Sequence, residues 1–285
     1  MITAAYTICK NEKQFVEKWL YYTKDLTYRV ILDTGSTDGT WELFQEAAKT
    51  DPNLIIEQKI FTPWKFNIAR NYNLDMVPQN VEWCLSPDLD EYFSINVLDQ
   101  MKKTISTKPT VTNISCDRLD VYSYDVRVGP PNVLGTNKIH KRHDYKWSQP
   151  IYEHLWYYKP DRAEVEIYND DIYLIHDQDF KKKSRPELYT KMLREEFETN
   201  PSNCWTLWFL VNHYFKEQDA EHFIECACVY LQHVEKGERY ISIRGTLEGM
   251  YHGLPTLSDA QRQTLKYTLE KYPAIQLVKN GQNIR

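Results

Sequence analysis

The chain opens with two apolar runs rich in β-formers, "TAAYTI" (3–8) and "YRVILD" (28–33). Between them lies "NEKQFVEKWLYYTKD", in which Phe15, Trp19, Leu20 and Tyr22 fall at helical spacings. The order predicts a β-α-β unit. After Asp33 the turn formers "TGSTDGT" lead into a second helix, "WELFQEAAKT", and a third strand, "NLIIEQKI". "NIARNYNLDMV" reads as a third helix and "VEWCLSPD" as a further strand. Strands alternating with helices predict an α/β fold: a parallel sheet covered on both faces, with ligands gathering beyond the carboxyl ends of the strands. The polar residues after Ile8, Leu32 and Leu85 are then expected along one edge.

From about residue 110 to 178 the pattern changes to the strand-like pieces "TVTNISCDRLDVYSY", "NKIHKRH", "IYEHLWYY" and "AEVEIYNDDIYLIH", which predict an antiparallel extension of the same sheet. Pro186 opens a helical regime with apolar stripes at Leu188, Met192 and Phe197, at Trp205, Trp208, Val211 and Phe215, and at Phe223, Ala227 and Tyr230. "KEQDA" separates two of these helices as an αα-hairpin, and helix-turn-helix units of roughly 34 residues are what tetratricopeptide arrays repeat. One such unit is legible; the remainder reads as a second pair, with Ser258 capping the last helix. The expected division is residues 1–184 and a small all-α domain over 185–285.

A length of 285 residues can bury a large core without disulfide staples. The six cysteines (Cys9, Cys84, Cys116, Cys204, Cys226 and Cys228) sit in apolar contexts with no paired zinc-type spacing, and are expected reduced and buried. A net charge of −5 argues against nucleic acid as a partner, and the basic run "KKKSR" at 181–185 suits a local anion. The N-terminal segment reads as a strand, because Lys10 and Glu12 interrupt it too soon for a signal sequence. "CWTLWFLV" is far shorter than the roughly 18–20 apolar residues of a membrane span. The expectation is a soluble, cytoplasmic protein.

The segment "LSPDLDEYF" (85–93) places Asp88, Asp90 and Glu91 directly behind a strand. Like charges this close repel and lose hydration, so a cation or a proton must offset them. A divalent metal would do so: hard oxygen ligands select magnesium, manganese or calcium, and a magnesium-type ion keeps positions open for phosphates. Asp33, ending a strand, can accept from a base imide or ribose hydroxyl, or cap the Gly35-Ser36 turn. Arg70 can clamp a phosphate or brace the acidic cluster.

Taken together and in this order, "YTICKNE", "VILDTGSTDGTWE", "FNIARNYNLD" and "WCLSPDLDEYF" resemble the family-2 glycosyltransferases of GT-A fold over about the first hundred residues. The resemblance implies a mixed sheet flanked by helices, a nucleotide-sugar donor (a UDP-sugar above all), and Mn2+ or Mg2+ at Asp88 and Asp90. It implies transfer with inversion to a glycan, protein or small-molecule acceptor. Thr7, Lys10, Glu12 and Asp33 would hold base and ribose, while Asn67, Arg70, Asp88 and Leu89 would line the diphosphate side. His176 would be a third metal ligand, and Lys182 and Arg185, with their neighbours Lys181 and Lys183, would close over the diphosphate. "WSQPIYEHLWYY" resembles the segment that supplies the catalytic base in part of the family, which selects Glu153. In that segment a glutamate often follows a histidine, and here Tyr152 precedes it; Asp120, Asp144 and His154 are weaker candidates. Among the aromatic residues around Glu153 (Trp147, Tyr152, Trp156, Tyr157 and Tyr158), one or two are expected to border the acceptor. The rival readings are a metal-dependent nucleotidyl- or phosphotransferase, disfavoured by the lack of a Gly-rich phosphate loop, and an inactive nucleotide-sugar-binding protein. Products separate the first and donor binding without turnover would mark the second.

Overall fold

The computed structural model describes residues 1–121, 136–177, 186–275, 278–279 and 282–283. The chain forms two compact units, residues 1–183 and 184–285. In the first, β1 (Thr3–Cys9), β2 (Tyr28–Asp33), β3 (Leu54–Gln58) and β4 (Trp83–Leu85) run parallel. They are joined through α1 (Val16–Thr23), α2 (Thr40–Ala48) and α3 (Phe66–Met76). Then follow β5 (Glu91–Phe93), α4 (Val97–Thr107), β6 (Asn113–Val121), β7 (Thr136–Lys141), β8 (Tyr145–Ser148), β9 (His154–Tyr157) and β10 (Glu166–Asp177).

Eight strands make one mixed sheet in the order β3-β2-β1-β4-β7-β6-β10-β5. The chain steps outward from β1 to β3 and returns to the other side of β1 at β4, so strand order reverses there, and such a reversal opens a crevice at the carboxyl ends. Asp33 pairs in register with Cys9 on one side and Gln58 on the other, which brings the ends of the first three strands level.

Period-two alternation buries both faces. Ala5, Cys9, Ile31 and Leu85 point into a core with Phe15, Val16 and Trp19 near α1, Phe44 of α2 and Met101 of α4. Ala4, Tyr6, Val30 and Cys84 point the other way, against Leu74 of α3 and Trp147. Two expectations need correcting, and one feature goes beyond them. The region after 110 is not uniformly antiparallel, because β10 runs parallel to β6. β8 and β9 pair with each other as a separate two-stranded sheet. Finally, "EYF" of the acidic motif is itself an edge strand, antiparallel to β10, so Glu91 faces His176 across the ladder.

The second unit holds α5 (Pro186–Thr199), α6 (Cys204–Lys216), α7 (Ala220–His233), α8 (Glu238–Gly253) and α9 (Asp259–Lys271). β11 (Val278–Lys279) and β12 (Gln282–Asn283) pair beyond them. Side-chain caps start three of the helices: Asn203 accepts from Trp205 and Thr206, Asp219 from His222, and Ser258 forms a reciprocal box with Gln261. The stripe of α6 differs from the expected one. Leu207, Leu210, Val211 and Tyr214 are buried while Phe215 is exposed, since a helix apolar nearly all round does not reveal its inner face from spacing alone. Leu193, rather than Leu188, is the buried position of α5. Five of the six cysteines are buried and all are free thiols. Among the described residues no helix is long and apolar enough to cross a membrane.

Gln218 closes α6 at φ 57°, the left-handed conformation that glycine adopts without Cβ strain. Gln218→Gly is expected to stabilise this unit by about 0.5–1 kcal/mol, read as a higher urea midpoint in the far-ultraviolet circular dichroism transition.

Candidate functional site

The carboxyl ends of β1, β2, β3 and β4 open on one edge of the sheet, and the acidic turn after β4 stands beside them. Its charge is neutralised by cations of the chain itself. Arg70, in the second turn of α3, donates from Nη2 to Asp88 Oδ1 at 2.7 Å and from Nε to Glu153 Oε1 at 2.6 Å. Lys138 of β7 donates to Asp88 Oδ2 at 3.0 Å and also to Glu91. Glu91, 2% exposed, accepts from the Asp88 backbone N–H at 2.9 Å and lies 3.7 Å from the Arg118 guanidinium. Burial works to raise the Asp88 carboxyl, but Arg70 and Lys138 outweigh it and hold the group well below the usual carboxylate range. Burial likewise pulls the Lys138 ammonium down, and Asp88 and Glu91 reverse that and push it up.

Arg70 rests on the face of Trp147, 4.6 Å from the ring centroid, and Trp147 is fixed from behind. Its indole N–H donates to Tyr6 Oη at 2.8 Å, and Tyr6 lies 2.9 Å from His140 Nε2. An indole nitrogen can only donate, so the Tyr6 proton goes to His140 Nε2 and His140 Nδ1 donates to the Lys141 carbonyl at 3.0 Å. Burial pushes His140 down to about 4, so this chain of bonds stays neutral and unidirectional at neutral pH. Asn71 adds two bonds to the Trp147 backbone, at 2.8 and 2.9 Å.

Glu153 follows a tight loop in which Gln149 (φ 64°) and Tyr152 (φ 53°) are left-handed. Two non-glycine residues in that region are costly, of order 1–3 kcal/mol each, and persist where surrounding structure over-determines them. The anchors are the Phe66 N–H donating to the Pro150 carbonyl at 2.9 Å and the Arg70 bond to Glu153. The weaker base candidates are placed otherwise: Asp144 is buried against Arg162, and His154 bonds Ser148 at 3.1 Å. The side chain of Asp120 lies outside the described residues.

The two aspartates of the motif part company. Asp88 has both oxygens engaged by Arg70 and Lys138, whereas Asp90 Oδ2 lies 3.5 Å from His176 Nε2. Arg118 meets His176 at Nδ1, and because arginine only donates, Nε2 carries the proton toward Asp90. A carboxylate oxygen and an imidazole N–H thus face one another, and His176 could complete a mixed oxygen–nitrogen donor set, of the kind that suits manganese, only if Arg118 left Nδ1 and the proton moved there. Among the described residues no cluster of three or more ligating side chains forms, so an ion here would complete its shell from phosphate and water.

The first-loop residues are distributed unevenly. Thr7 is fully buried and donates to the Ile8 carbonyl at 3.3 Å; Lys10 is exposed; Glu12 is 5% exposed and accepts from the Lys10 backbone at 3.4 Å. Asp33 is fully buried. Its Oδ1 accepts from Gly35, Ser36 and Gln58 at 2.9, 2.8 and 3.0 Å, and its Oδ2 faces the Cys9 thiol. Asn67 Oδ1, one turn before Arg70, is buried with no partner among the described residues. Leu89 is 2% exposed and packs in the core, so it can offer a ligand only its backbone. Lys181, Lys182, Lys183 and Arg185 lie outside the described residues. Of the aromatic residues, Trp147 is buried under Arg70 while Tyr152 and Trp156 are 44% and 61% exposed.

Sequence reasoning missed Lys138, Arg118 and Gln58. Lys138 and Arg118 sit in strand runs whose pairing with the acidic turn is non-local, and the one local hint is a charged residue inside an otherwise β-rich run.

The fold is the GT-A fold of glycosyltransferases. It matches TarS of S. aureus (residues 1–349) in complex with UDP-GlcNAc with a TM-score of 0.52, at 14% identity over 99% of this chain and 96% of that one. The complex of the same protein with UDP matches with a TM-score of 0.50 at 13% identity over 99% and 96% of the two chains. A longer TarS chain matches with a TM-score of 0.52 at 15% identity over 95% of this chain and 53% of its own. No protein-family profile and no curated protein sequence matches the chain.

Lys138→Met would leave Glu91 a nearly buried carboxylate without its ammonium partner, and is expected to cost about 3 kcal/mol in urea unfolding of the first unit. Adding Glu91→Gln should recover part of that loss. The Asp88 contribution has a defined pH sign: because its folded carboxyl lies below the unfolded value of 3.8, the stability it adds is complete above that value and disappears as pH falls through the folded one.

Proposed function

We propose that the protein is an inverting glycosyltransferase of the family-2 type, moving a sugar from a nucleotide-sugar donor, a UDP-sugar above all, to an acceptor hydroxyl. The observation that carries this reading is the single guanidinium of Arg70 joining Asp88 of the acidic turn to Glu153. It ties the place where a diphosphate would be met to the carboxylate that would take the acceptor proton. The TarS complexes with UDP-GlcNAc and UDP, on the same fold, support a nucleotide-sugar donor.

In this mechanism Glu153 is the base. Its side chain is 12% exposed and bonded to Arg70, which leaves it placed and oriented to accept a proton. The acceptor O–H proton passes to the carboxylate as the oxygen bonds the anomeric carbon, and the bond from that carbon to the diphosphate oxygen breaks on the opposite side. Arg70 keeps the carboxylate oriented, and Trp147 keeps Arg70 in place. Asn67, whose carbonyl oxygen has no partner among the described residues, and exposed Lys10 are polar groups that can meet the donor along this edge. Asp90, with His176 once its Nε2 proton had moved, would hold a divalent cation, Mn2+ or Mg2+, which when bound offsets the charge developing on the leaving diphosphate. Tyr152 and Trp156 supply exposed aromatic surface next to the base for an acceptor of glycan, protein or small-molecule origin.

Glu153→Gln keeps the shape and removes the base. Transfer is expected to fall by about 10²–10⁴-fold while UDP still raises the melting temperature as in the wild type. A variant that turned over at the wild-type rate would contradict the assignment of the base.

A further inference from the structure

The carboxylate expected to read the nucleobase is not accessible. Asp33 is fully buried, and its two oxygens are met by three N–H donors and one thiol. One of those donors belongs to Gln58, which is exposed at the carboxyl end of β3 and pairs in register with Asp33. A carboxylate cannot donate, so only the amide nitrogen of Gln58 can face it, here at 3.0 Å. The orientation of the amide is therefore fixed by chemistry, with Oε1 turned away from Asp33. Buried Asp33, itself locked by the Gly35 and Ser36 backbone, acts as the clamp.

Beside Gln58 lies a flat apolar ledge. Gly35, at φ +103°, has no Cβ, and one placed there would stand 3.2 Å from Ile60, whose side chain is 74% exposed. The surroundings are electronegative: burial pushes the Cys9 thiol well above its ordinary range, and Asp33, Glu12 and Asp38 push it further. Such a field favours a ligand edge that presents N–H groups. A planar ring lying on the ledge would present its edge to the outward carbonyl.

We propose that Gln58 is the specificity-determining residue for the nucleobase, its Oε1 accepting from an N–H on the base edge, with Asp33 a positioning residue that acts through it. The inference rests on the donor-site reading above and adds to it where the base is read. A site whose fixed acceptor goes unpaired when the wrong base is bound discriminates strongly, because the desolvated group loses its partner.

The test is calorimetric titration of UDP, GDP, CDP, ADP and inorganic pyrophosphate, with Mn2+ present, into the wild type and Gln58→Leu. The wild type is expected to bind one nucleoside diphosphate at least about 10-fold more tightly than the other three. Gln58→Leu should bring that nucleotide down to the level of the rest and leave pyrophosphate affinity unchanged. A preference that survives in Gln58→Leu, or no preference in the wild type, overturns the role of Gln58 while leaving the donor site standing. Failure of every nucleotide to bind the wild type removes the donor site and this inference with it. Because Gln58 is exposed, the variant is expected to fold, and an unchanged circular dichroism spectrum verifies this.

Discussion

Arginine cannot give up its proton, so wherever a fold buries a guanidinium it must also deliver anions to it. Arg70, 8% exposed in its side chain, receives Asp88 from the turn after β4 and Glu153 from the loop before β9, the latter 83 positions away in sequence. Uncompensated, the guanidinium would cost several kcal/mol, as would Glu153 at 12% exposed, while Asp88 at 35% keeps part of its solvent contact. The consequence reaches both ways along the chain. The strained loop at Gln149 and Tyr152 is held because Glu153 has a partner, and Trp147, Tyr6 and His140 line up behind the guanidinium to keep it from moving. In the proposed mechanism, the carboxylate that accepts a proton and the turn that meets a diphosphate are thereby fixed to one rigid group.

The same electrostatic constraint explains how three acidic residues fit in four positions of chain. Two carboxylates, Asp88 and Glu91, are neutralised by Arg70, Lys138 and Arg118, which leaves Asp90 to face His176. The charge argument made from the sequence was sound in requiring cations and incomplete in naming a metal as their source. Protein cations organise most of the cluster, and the remaining carboxylate, Asp90, faces the His176 imidazole.

Much of the first half was legible because it is local. Apolar runs ending at Ile8, Asp33 and Leu85 gave the strand ends to within a residue, and their alternation with helices gave the crevice edge. Beyond Asp88 the reading weakened for physical reasons. β5 is three residues long and owes its existence to β10, which lies some eighty positions later, and no periodicity can show that β6 and β10 run parallel. The partner of an acidic residue is chosen by tertiary pairing, so Lys138 looked like any strand lysine. Asp33 was visible as a strand-end carboxylate with two possible roles; the structure has it holding the Gly35-Ser36 turn and, through its remaining capacity, Gln58. In the helical unit the cap was easier to read than the faces: Ser258 was identifiable as the N-cap of the last helix, whereas α6 is apolar on nearly every side.

The most direct test is Arg70→Lys, with donor-nucleotide affinity and single-turnover transfer measured on the same preparation. A lysine keeps the charge and loses the planar fork that binds two carboxylates at once, so Glu153 would be released from its fixed position. The account predicts UDP affinity within a few-fold of wild type and transfer slowed by about 100-fold or more. Transfer at the wild-type rate by a folded Arg70→Lys protein would contradict it, because the bridge between the acidic turn and the base would then be dispensable.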